Sequence, residues 1–410
     1  MENDSKTTQR FSSPIVMAFA LIAGSVGTGN IWRFPRVAAT NGGGAFIVAY
    51  VVIMLLMTIP LMMGESAIGR ITRKGLPGAF RDSMGNKKFT FLGSFVWYVV
   101  FATTAYYAVV MAWITYYMFL SLTKGYVGVD KLMLFEGVSN GNPTILVIYI
   151  GLMVAATVFA YYGVKAIEKT TKYFLPILVI CLIIVGIRSV TLQKASLGLD
   201  YLFHFNPKDL FHGKVWLEAI TQASWSAGPG WGICLAYGVF AERKKDITLT
   251  TGIQGLGDMS VALLSGIAII PSLFSMMGRS EEALAVLSSG NNGLAFIGLT
   301  NVFENMRGGM FMSFLFFLSL LLAGFTSLIA LFSITYQPFD DAKYPRKKTV
   351  LLILVGTVVL GIPSAWNIDF FNNQDFVVGM TMVIGAIFSS LAIAKYGTDK
   401  TRAYLSDEYS

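Results

Sequence analysis

Ten apolar runs, nearly free of charge, fill most of this 410-residue chain and constrain its fold more than any other feature. The runs cover 14–37, 43–69, 88–121, 143–162, 172–190, 214–240, 247–277, 309–337, 349–366 and 373–395. A helix needs about 20 apolar residues to cross the hydrocarbon core of a bilayer, so each run is long enough for one span. Little of the chain remains outside the runs, which excludes a large soluble catalytic domain. We therefore predict an all-α polytopic membrane protein.

The basic residues lie in short clusters between the apolar runs, although the net charge is +8. Of the 31 Lys and Arg residues, 21 fall in the N-terminal segment, the C-terminal tail and every second loop. Because basic loops stay on the cytoplasmic side, we expect both termini in the cytoplasm and the protein in the plasma (cytoplasmic) membrane. The clusters form no continuous basic segment, so no nucleic-acid partner is expected. The first run has no small-residue cleavage site, so we expect it to be a span and not a signal peptide.

Glycine interrupts two of the runs near their middle. The first run contains Ala23-Gly-Ser-Val-Gly-Thr-Gly-Asn30, and the sixth contains Ser226-Ala-Gly-Pro-Gly-Trp-Gly232. In a helix interior, glycine costs about 1 kcal/mol and proline about 3 kcal/mol, so both stretches predict unwound backbone. Unwound backbone at membrane depth lines a cavity or binds a ligand, because lipid does not satisfy its amides and carbonyls. The alternative is a small-residue face that packs against another helix.

The two glycine stretches lie five runs apart, in the first and the sixth of ten. An odd number of helices in each half inverts the second half relative to the first, as in secondary transporters with inverted repeats. The predicted division is a cytoplasmic segment 1–13, a first five-helix repeat 14–190, an extracellular loop 191–213, a second repeat 214–395 and a cytoplasmic tail 396–410.

Six sequence blocks then make the chain recognisable. They are Gly24-Ser-Val-Gly-Thr-Gly-Asn-Ile-Trp-Arg-Phe-Pro35, Asn41-Gly-Gly-Gly-Ala-Phe46, Ile59-Pro-Leu-Met-Met-Gly-Glu65, Asp258-Met-Ser-Val-Ala-Leu-Leu-Ser-Gly266, Gly293-Leu-Ala-Phe-Ile-Gly-Leu299 and Ala323-Gly-Phe-Thr-Ser327. In this order they resemble the neurotransmitter:sodium symporter family. The resemblance implies the leucine-transporter fold, a 5+5 inverted repeat with broken first and sixth transmembrane helices. It also implies a sodium-coupled symporter working by alternating access, with no enzymatic activity and no organic cofactor. Most members have eleven or twelve spans, whereas ten are predicted here.

The resemblance implies one or two bound sodium ions. The first site would use the Ser25 carbonyl, the Asn30 amide, Ser226, Asp258 and the substrate's own carboxylate. The second site would use the carbonyls of Ala23, Val26 and Ala323 and the hydroxyls of Thr326 and Ser327. Carbonyls freed at a helix break are oxygen ligands for a cation, and the following half-helix offers N–H groups to a carboxylate. Without the family context, the two hydroxyls would more simply bond the preceding helical turn.

The expected substrate is an α-amino acid. Gly27 stands where monoamine-transporting relatives place an aspartate, so the substrate must supply its own carboxylate. That carboxylate is expected to meet the N–H groups around Thr28 and Gly29 and the hydroxyl of Tyr107. The ammonium group would be held by carbonyls near Ser25 and in the 225–228 stretch, which includes Ser226. The pocket for the substrate side chain would be lined by Thr103, Trp225, Gly228, Trp231, Ser327 and Leu331. None of these is charged, which favours an apolar amino acid and leaves its size open.

Asp258 also bears on whether transport requires chloride. An acid inside an apolar span costs about 2.5–3.5 kcal/mol on insertion scales and is functional by default, although a hydrogen-bonded structural role is the alternative. Chloride-dependent relatives carry asparagine at this position and a serine four residues later, where this chain has Ala262. Because the carboxylate already supplies a negative charge, we expect transport that is independent of chloride.

Charged residues at the two mouths resemble the gates of the family. Arg33 and Asp375 match the outer ion pair. Asp341 matches the inner acid, and Arg10 is its expected partner because Thr8 occupies the usual arginine position. Glu65 is expected to cap backbone freed at the breaks.

Two questions stay open at this stage. The alternative function is a non-transporting membrane sensor that binds sodium and an amino acid. The expected assembly is a monomer or a weak homodimer.

Overall fold

The computed structural model describes residues 10–241, 247–277 and 280–406, and the chain is helical almost throughout this part. The α-helices are α1 (Pro14–Ser25), α2 (Phe34–Thr40), α3 (Gly44–Ile53), α4 (Ile59–Thr72), α5 (Leu76–Ser83), α6 (Thr90–Thr123), α7 (Lys131–Ser139), α8 (Pro143–Tyr161), α9 (Val164–Val190), α10 (Ala195–Phe203), α11 (Gly213–Ala227), α12 (Ile233–Gly238), α13 (Ile247–Met277), α14 (Ser280–Ser288), α15 (Gly290–Asn292), α16 (Leu299–Asn305), α17 (Gly309–Asp341), α18 (Arg346–Trp366), α19 (Ile368–Tyr396) and α20 (Thr398–Ser406). Three π-helical segments (Gly29–Arg33, Met54–Thr58, Gly293–Gly298) and two 3₁₀ segments (Lys87–Phe89, Pro207–Phe211) join them.

Within the described residues, eight helices are long and apolar enough to cross a membrane, and a bent pair can form a ninth span. The bent pair is Pro14–Ser25 with Gly29–Thr40, and its two parts meet at 64°. The remaining predicted run, 214–240, is occupied by α11 and α12, each too short to span alone. The chain is therefore a multi-pass membrane protein, and the predicted interruptions fall in its first and sixth runs.

The first break comprises residues 26–28, between α1 and the π-helical segment. Proline at the first helical position and the Ser13 side chain, which accepts from the Val16 N–H, start α1. The helix ends at Ser25, and Val26 is extended with ψ 101°. The bend places the open end of α1 inside the protein, where its backbone groups face a cavity.

The second break comprises residues 228–232, between α11 and α12. Gly228, Gly230 and Gly232 have φ values of +75°, +84° and +77°, a left-handed conformation that glycine adopts without steric cost. The Oε1 atom of Glu65 accepts a 2.9 Å hydrogen bond from the Gly230 N–H. This confirms the prediction that Glu65 caps backbone freed at a break.

Helix α12 lies against α4 at backbone distance. A Cβ at Gly69 would overlap the Leu235 carbonyl, and one at Gly238 would overlap the Ser66 carbonyl. Small residues of this kind let membrane helices approach closely. The half-helix beyond the second break is thus held by the span that also carries Glu65.

Several helices extend beyond the apolar runs that predicted them. Helix α9 starts at Val164, well before residue 172, and continues through Pro176. Helix α19 starts at Ile368, after Asn367 accepts from the Phe370 N–H. Hydropathy marks the part of a helix that lies in hydrocarbon, whereas polar turns continue it beyond the membrane.

Helices α6 and α17 form the centre of the molecule. The most apolar windows of the spans that contain them are 72% and 83% buried, against 28–33% for α8, α9, α18 and α19. The peripheral helices therefore present most of this surface to lipid. Both breaks lie against the central pair, and this arrangement positions the candidate site.

Candidate functional site

A cavity lies between the two breaks and the central helices. It is lined by Gly24, Ser25, Gly27, Thr28, Gly29, Tyr107, Trp225, Ser226, Gly228, Trp231, Ile233, Ser327 and Leu331. Eleven of the twelve predicted substrate residues are in this set. The two glycine stretches, far apart in sequence, thus face one cavity.

Thr103 does not line the cavity, which corrects the prediction made for it. The residue is fully buried, and its hydroxyl donates to the Val99 carbonyl of its own helix at 2.8 Å. It lies one helical turn from Tyr107, about 6 Å along the axis, and the cavity does not extend that far. Gly24 and Ile233 were not predicted. Ile233 directly follows Gly232, so extending the second stretch by one residue would have found it.

Tyr107 and Gly27 shape the end of the cavity at the first break. The Tyr107 hydroxyl oxygen accepts a 3.3 Å hydrogen bond from the Thr28 N–H. A Cβ at Gly27 would lie 2.9 Å from that oxygen and 3.3 Å from the Ser327 Oγ. Any side chain at position 27 would therefore displace Tyr107 or Ser327 from the break.

Asn30, Ser226 and Asp258, three of the four residues predicted for the first sodium site, form one buried cluster, and the fourth, Ser25, is buried and lines the cavity. The Asn30 Nδ2 donates to the Ser226 Oγ at 2.7 Å and to the Asp258 Oδ1 at 2.8 Å. The other carboxylate oxygen accepts a short hydrogen bond from Ser226 and one of 3.2 Å from the Tyr50 hydroxyl. Asn30 also accepts from the Gly27 N–H at 3.1 Å, which ties the cluster to the first break.

The chemistry of this cluster fits a small cation. Asp258 is fully buried, and every hydrogen-bond donor to its carboxylate is a neutral side chain. In the described part of the chain, Asp258 forms no ion pair. A buried carboxylate without a counter-charge is costly in free energy, so a cation beside it is favoured. Carbonyl, hydroxyl and carboxylate oxygens are the ligands that hard cations prefer.

The residues predicted for the second sodium site also lie together at the first break. The Ser327 Oγ reaches the Val26 carbonyl at 3.4 Å and the Ala323 carbonyl at 3.1 Å. The Thr326 hydroxyl bonds the preceding turn of α17, at Leu322 and Ala323. Both hydroxyls thus make the helix back-bonds that the sequence left open, and Ser327 additionally joins α17 to the break. Ala23, like the other four residues, is buried.

The predicted outer ion pair differs from the observed one. Arg33 pairs with Glu218 at 3.4 Å and donates to the Gln222 Oε1 at 2.6 Å. Asp375 is not within ion-pair distance of Arg33 in the described structure. Glu218 and Gln222 are four residues apart on α11, so they share the helix face that meets Arg33. Gln222 also donates to the Gly29 carbonyl at 3.1 Å, which links the Arg33 contacts to the first break.

The predicted inner ion pair is not formed either. The Asp341 Oδ2 accepts from the Gly75 N–H at 2.7 Å, whereas Arg10 is exposed and has no ion pair among the described residues. Thr8 lies outside the described residues. Arg73 contributes at this end instead, because it donates to the carbonyls of Val239 and Ala241 at 2.6 and 2.5 Å. A backbone acceptor carries no sequence signal, so this contact could not be predicted.

Comparison with known proteins places the chain in a family. The model of the Sodium:neurotransmitter symporter family matches residues 9–130 and 126–408. An uncharacterized sodium-dependent transporter of Methanocaldococcus jannaschii is 28% identical over 97% of this chain and 84% of its own length. The uncharacterized sodium-dependent transporter YhdH of Bacillus subtilis is 27% identical over 94% of this chain and 87% of its own length.

A solved structure agrees with these relatives. The crystal structure of MhsT in complex with L-phenylalanine matches with a TM-score of 0.85 and 28% identity, over 97% of this chain and 93% of that one. The leucine-transporter fold predicted from sequence is thereby confirmed. The chain belongs to the sodium:neurotransmitter symporter family and is a sodium-dependent transporter, not an enzyme.

Proposed function

We propose that this protein imports an apolar α-amino acid together with sodium by alternating access. The carrying observation is that Ser226 both lines the cavity and bonds the buried carboxylate of Asp258. A cation beside Asp258 therefore lies next to the substrate cavity, where a substrate carboxylate completes its coordination. Such sharing couples the two binding events directly, because each ligand raises the affinity for the other.

The first break supports an amino acid in preference to a monoamine. Position 27 has no room for an acidic side chain, since Tyr107 and Ser327 occupy the space. The N–H groups of Thr28 and Gly29 open the helix beyond the break, and the start of a helix favours negative charge. A substrate carboxylate satisfies this end, while carbonyls near Ser25 and in the second break hold its ammonium group.

The large lining residues of the cavity support an apolar substrate side chain. They are Trp225, Trp231, Ile233 and Leu331, and none of the lining residues is charged. A buried polar substituent would find few partners there, which costs free energy. MhsT, a relative of matching fold, was crystallised with L-phenylalanine.

We assign two sodium ions to the two clusters. The first ion is held by Ser25, Asn30, Ser226 and Asp258, where it offsets the buried negative charge. The second is held by Ala23, Val26, Ala323, Thr326 and Ser327, where carbonyl and hydroxyl oxygens from α17 and the first break converge. Binding there fastens the broken span to the central helix.

Chloride independence is supported by the contacts of Asp258. Its carboxylate accepts from the hydroxyls of Tyr50 and Ser226, the donors that an anion in this place would otherwise use. A fixed carboxylate thus supplies the charge at every stage of the cycle. The distribution of basic residues supports cytoplasmic termini in the plasma membrane, with the protein working as a monomer or weak homodimer.

The deciding experiment measures uptake of a panel of amino acids into proteoliposomes with and without an inward sodium gradient. Sodium-driven uptake of an apolar amino acid, equal in chloride and gluconate, is expected. Absence of gradient-driven uptake of every amino acid would refute the proposal. Binding without counterflow would instead favour the non-transporting sensor.

The ion assignments are tested by substitution. Asn30→Ala and Thr326→Ala should each raise the sodium concentration for half-maximal uptake. Ser260→Ala is a matched control, because its exposed hydroxyl only bonds the Leu256 carbonyl of its own helix. Unchanged sodium dependence in both test variants would count against the assignments.

A further inference from the structure

Helix α19 approaches the second break at backbone distance. A Cβ at Gly385 would lie 2.6 Å from the Gly230 carbonyl oxygen, and one at Gly230 would overlap the backbone of Ala386. These contacts leave no space between the helix and the unwound segment. The backbone of α19 therefore acts as a rigid wall behind the break.

The same helix presents a glycine to the indole of Trp225. A Cβ at Gly379 would lie 3.0 Å from the Trp225 Cζ2, 3.8 Å from Cε2 and 4.0 Å from Nε1. Gly379 and Ala386 are seven residues apart, so they lie on one face of α19 two turns from each other. The rigid wall thus continues from the break to the indole of Trp225.

Trp225 is bounded by α19 on one side and by the substrate cavity on the other. It lines the cavity and meets Trp231 in a T-shaped contact, with ring centroids 5.8 Å apart and an interplanar angle of 69°. The buried Nε1 of Trp231 has no hydrogen-bond partner in the described structure. The position of this aromatic pair is therefore set by packing, and the packing includes Gly379.

We propose that Gly379 is a specificity-determining residue, whose missing side chain lets Trp225 lie back against α19 and so sets the size of substrate that the cavity accepts. The inference rests on the proposed function and deepens it. Optimal carbon–carbon contacts are about 3.5–4.0 Å, so a methyl group at 3.0 Å from Cζ2 must push the indole away. Helix α19 itself does not retreat, because its backbone is packed against the second break. The indole of Trp225 can therefore move only toward the cavity on its other face. An added methyl group therefore reduces the room for a large substrate.

The test compares Gly379→Ala with wild type in proteoliposomes, using the ratio of kcat/KM for phenylalanine to that for alanine. The ratio should fall about tenfold, the usual effect of one methylene group in an apolar pocket. Gly151→Ala is the matched control, because a Cβ there meets nothing within 4 Å and the residue lies in another span. It should leave the ratio unchanged.

A double variant separates this contact from other causes. Phenylalanine at position 225 lacks the indole atoms that face Gly379, so Gly379→Ala should change the ratio less than about twofold in a Trp225→Phe background. The same double variant should restore folding if Gly379→Ala alone proves unstable, and Trp225→Phe alone should raise the relative uptake of the largest amino acids.

The outcomes distinguish the two proposals. Wild-type protein that takes up no amino acid refutes the proposed function. Wild-type uptake with an unchanged ratio in Gly379→Ala, or with an equal fall in the Trp225→Phe background, overturns the role of Gly379 and leaves the proposed function standing.

Discussion

The side-chain amide of Asn30 donates a 2.8 Å hydrogen bond to the carboxylate of Asp258, 228 positions later in the chain. The same amide donates to Ser226 at 2.7 Å, so three separate segments meet at one polar group. Asn30 comes from the first half of the chain, whereas Ser226 and Asp258 come from the second. The proposed sodium site is therefore complete only when both halves have folded against each other.

Asp258→Asn should weaken sodium binding, because it removes the negative charge from the buried cluster while keeping its shape. Two unit charges about 4 Å apart at an effective dielectric constant near 20 interact by about 4 kcal/mol. We therefore expect the sodium concentration for half-maximal uptake to rise by tenfold or more. Uptake should also become sensitive to replacement of chloride by gluconate. Sodium and chloride dependence that match wild type would contradict both the ion and the anion assignment.

Tyr107→Phe should raise the KM for the substrate without unfolding the protein. The variant removes the oxygen that accepts from the Thr28 N–H and is proposed to meet the substrate carboxylate. A hydrogen bond to a charged group contributes about 1.5–3 kcal/mol, so a tenfold to hundredfold increase is expected. Tyr98→Phe, an exposed tyrosine of the same helix, is the control. A purely structural role would instead lower the melting temperature and leave KM unchanged.

Glu65→Ala should abolish uptake and lower the melting temperature, because the Gly230 N–H loses its acceptor in a buried place. An unsatisfied buried N–H group costs about 1–3 kcal/mol. Glu65→Gln retains an acceptor oxygen and should preserve most of the thermal stability. Equal damage in both variants would show that the charge of Glu65, and not its capping bond, is what matters.

Glu304 provides a pH-dependent contribution to stability outside the membrane-spanning helices. The Lys131 Nζ lies 2.5 Å from its carboxylate, and the Gly128 N–H donates to it at 2.7 Å. These partners, with Lys131 first, lower the pKa of Glu304 below its ordinary value. The folded protein thus favours the charged form, and the contribution is complete above the ordinary pKa and disappears as the pH falls through the lowered one.

Glu304→Gln should therefore reduce the melting temperature at pH 7, by no more than about 2–4 °C because a partly exposed ion pair contributes about 1 kcal/mol or less. The difference from wild type should shrink as the pH is lowered below 4.5, the ordinary pKa of a glutamate. Glu281→Gln, an exposed carboxylate on α14, should show no such behaviour. A difference that does not shrink as the pH falls through and below the lowered pKa of Glu304 would contradict the assignment.

Much of the fold follows from local patterns, and the exceptions have a physical cause. Hydropathy located the ten runs, but it placed the start of the fifth at residue 172 when α9 begins at Val164. Glycine marked both breaks, with a proline in the second, because the backbone preferences of these residues are local. The 64° bend and the backbone contact between α4 and α12 depend on neighbouring helices, and no single segment encodes them.

The candidate site divides in a similar way. Eleven of the twelve residues predicted to bind substrate line the cavity, and all of them except Tyr107 sit in or beside the two glycine stretches or the motif 323–327. The prediction that Thr103 lines the cavity was wrong, because matching a motif does not measure how far a cavity extends along a helix. The predicted ion pair of Arg33 with Asp375 was wrong, because an arginine side chain can reach several acids. In the structure its partner is Glu218 on α11, at 3.4 Å.

The sequence by itself determined a membrane protein with two interrupted spans and a family whose members carry sodium, because hydropathy and backbone preference act over a few residues. Only the tertiary structure decided which groups pair across those spans. In the folded chain, Asn30 and Ser226 contact the carboxylate of Asp258, Arg33 forms an ion pair with Glu218, and Gly379 packs against the indole of Trp225. These contacts join residues that are far apart in the chain, and their distances depend on how the helices pack.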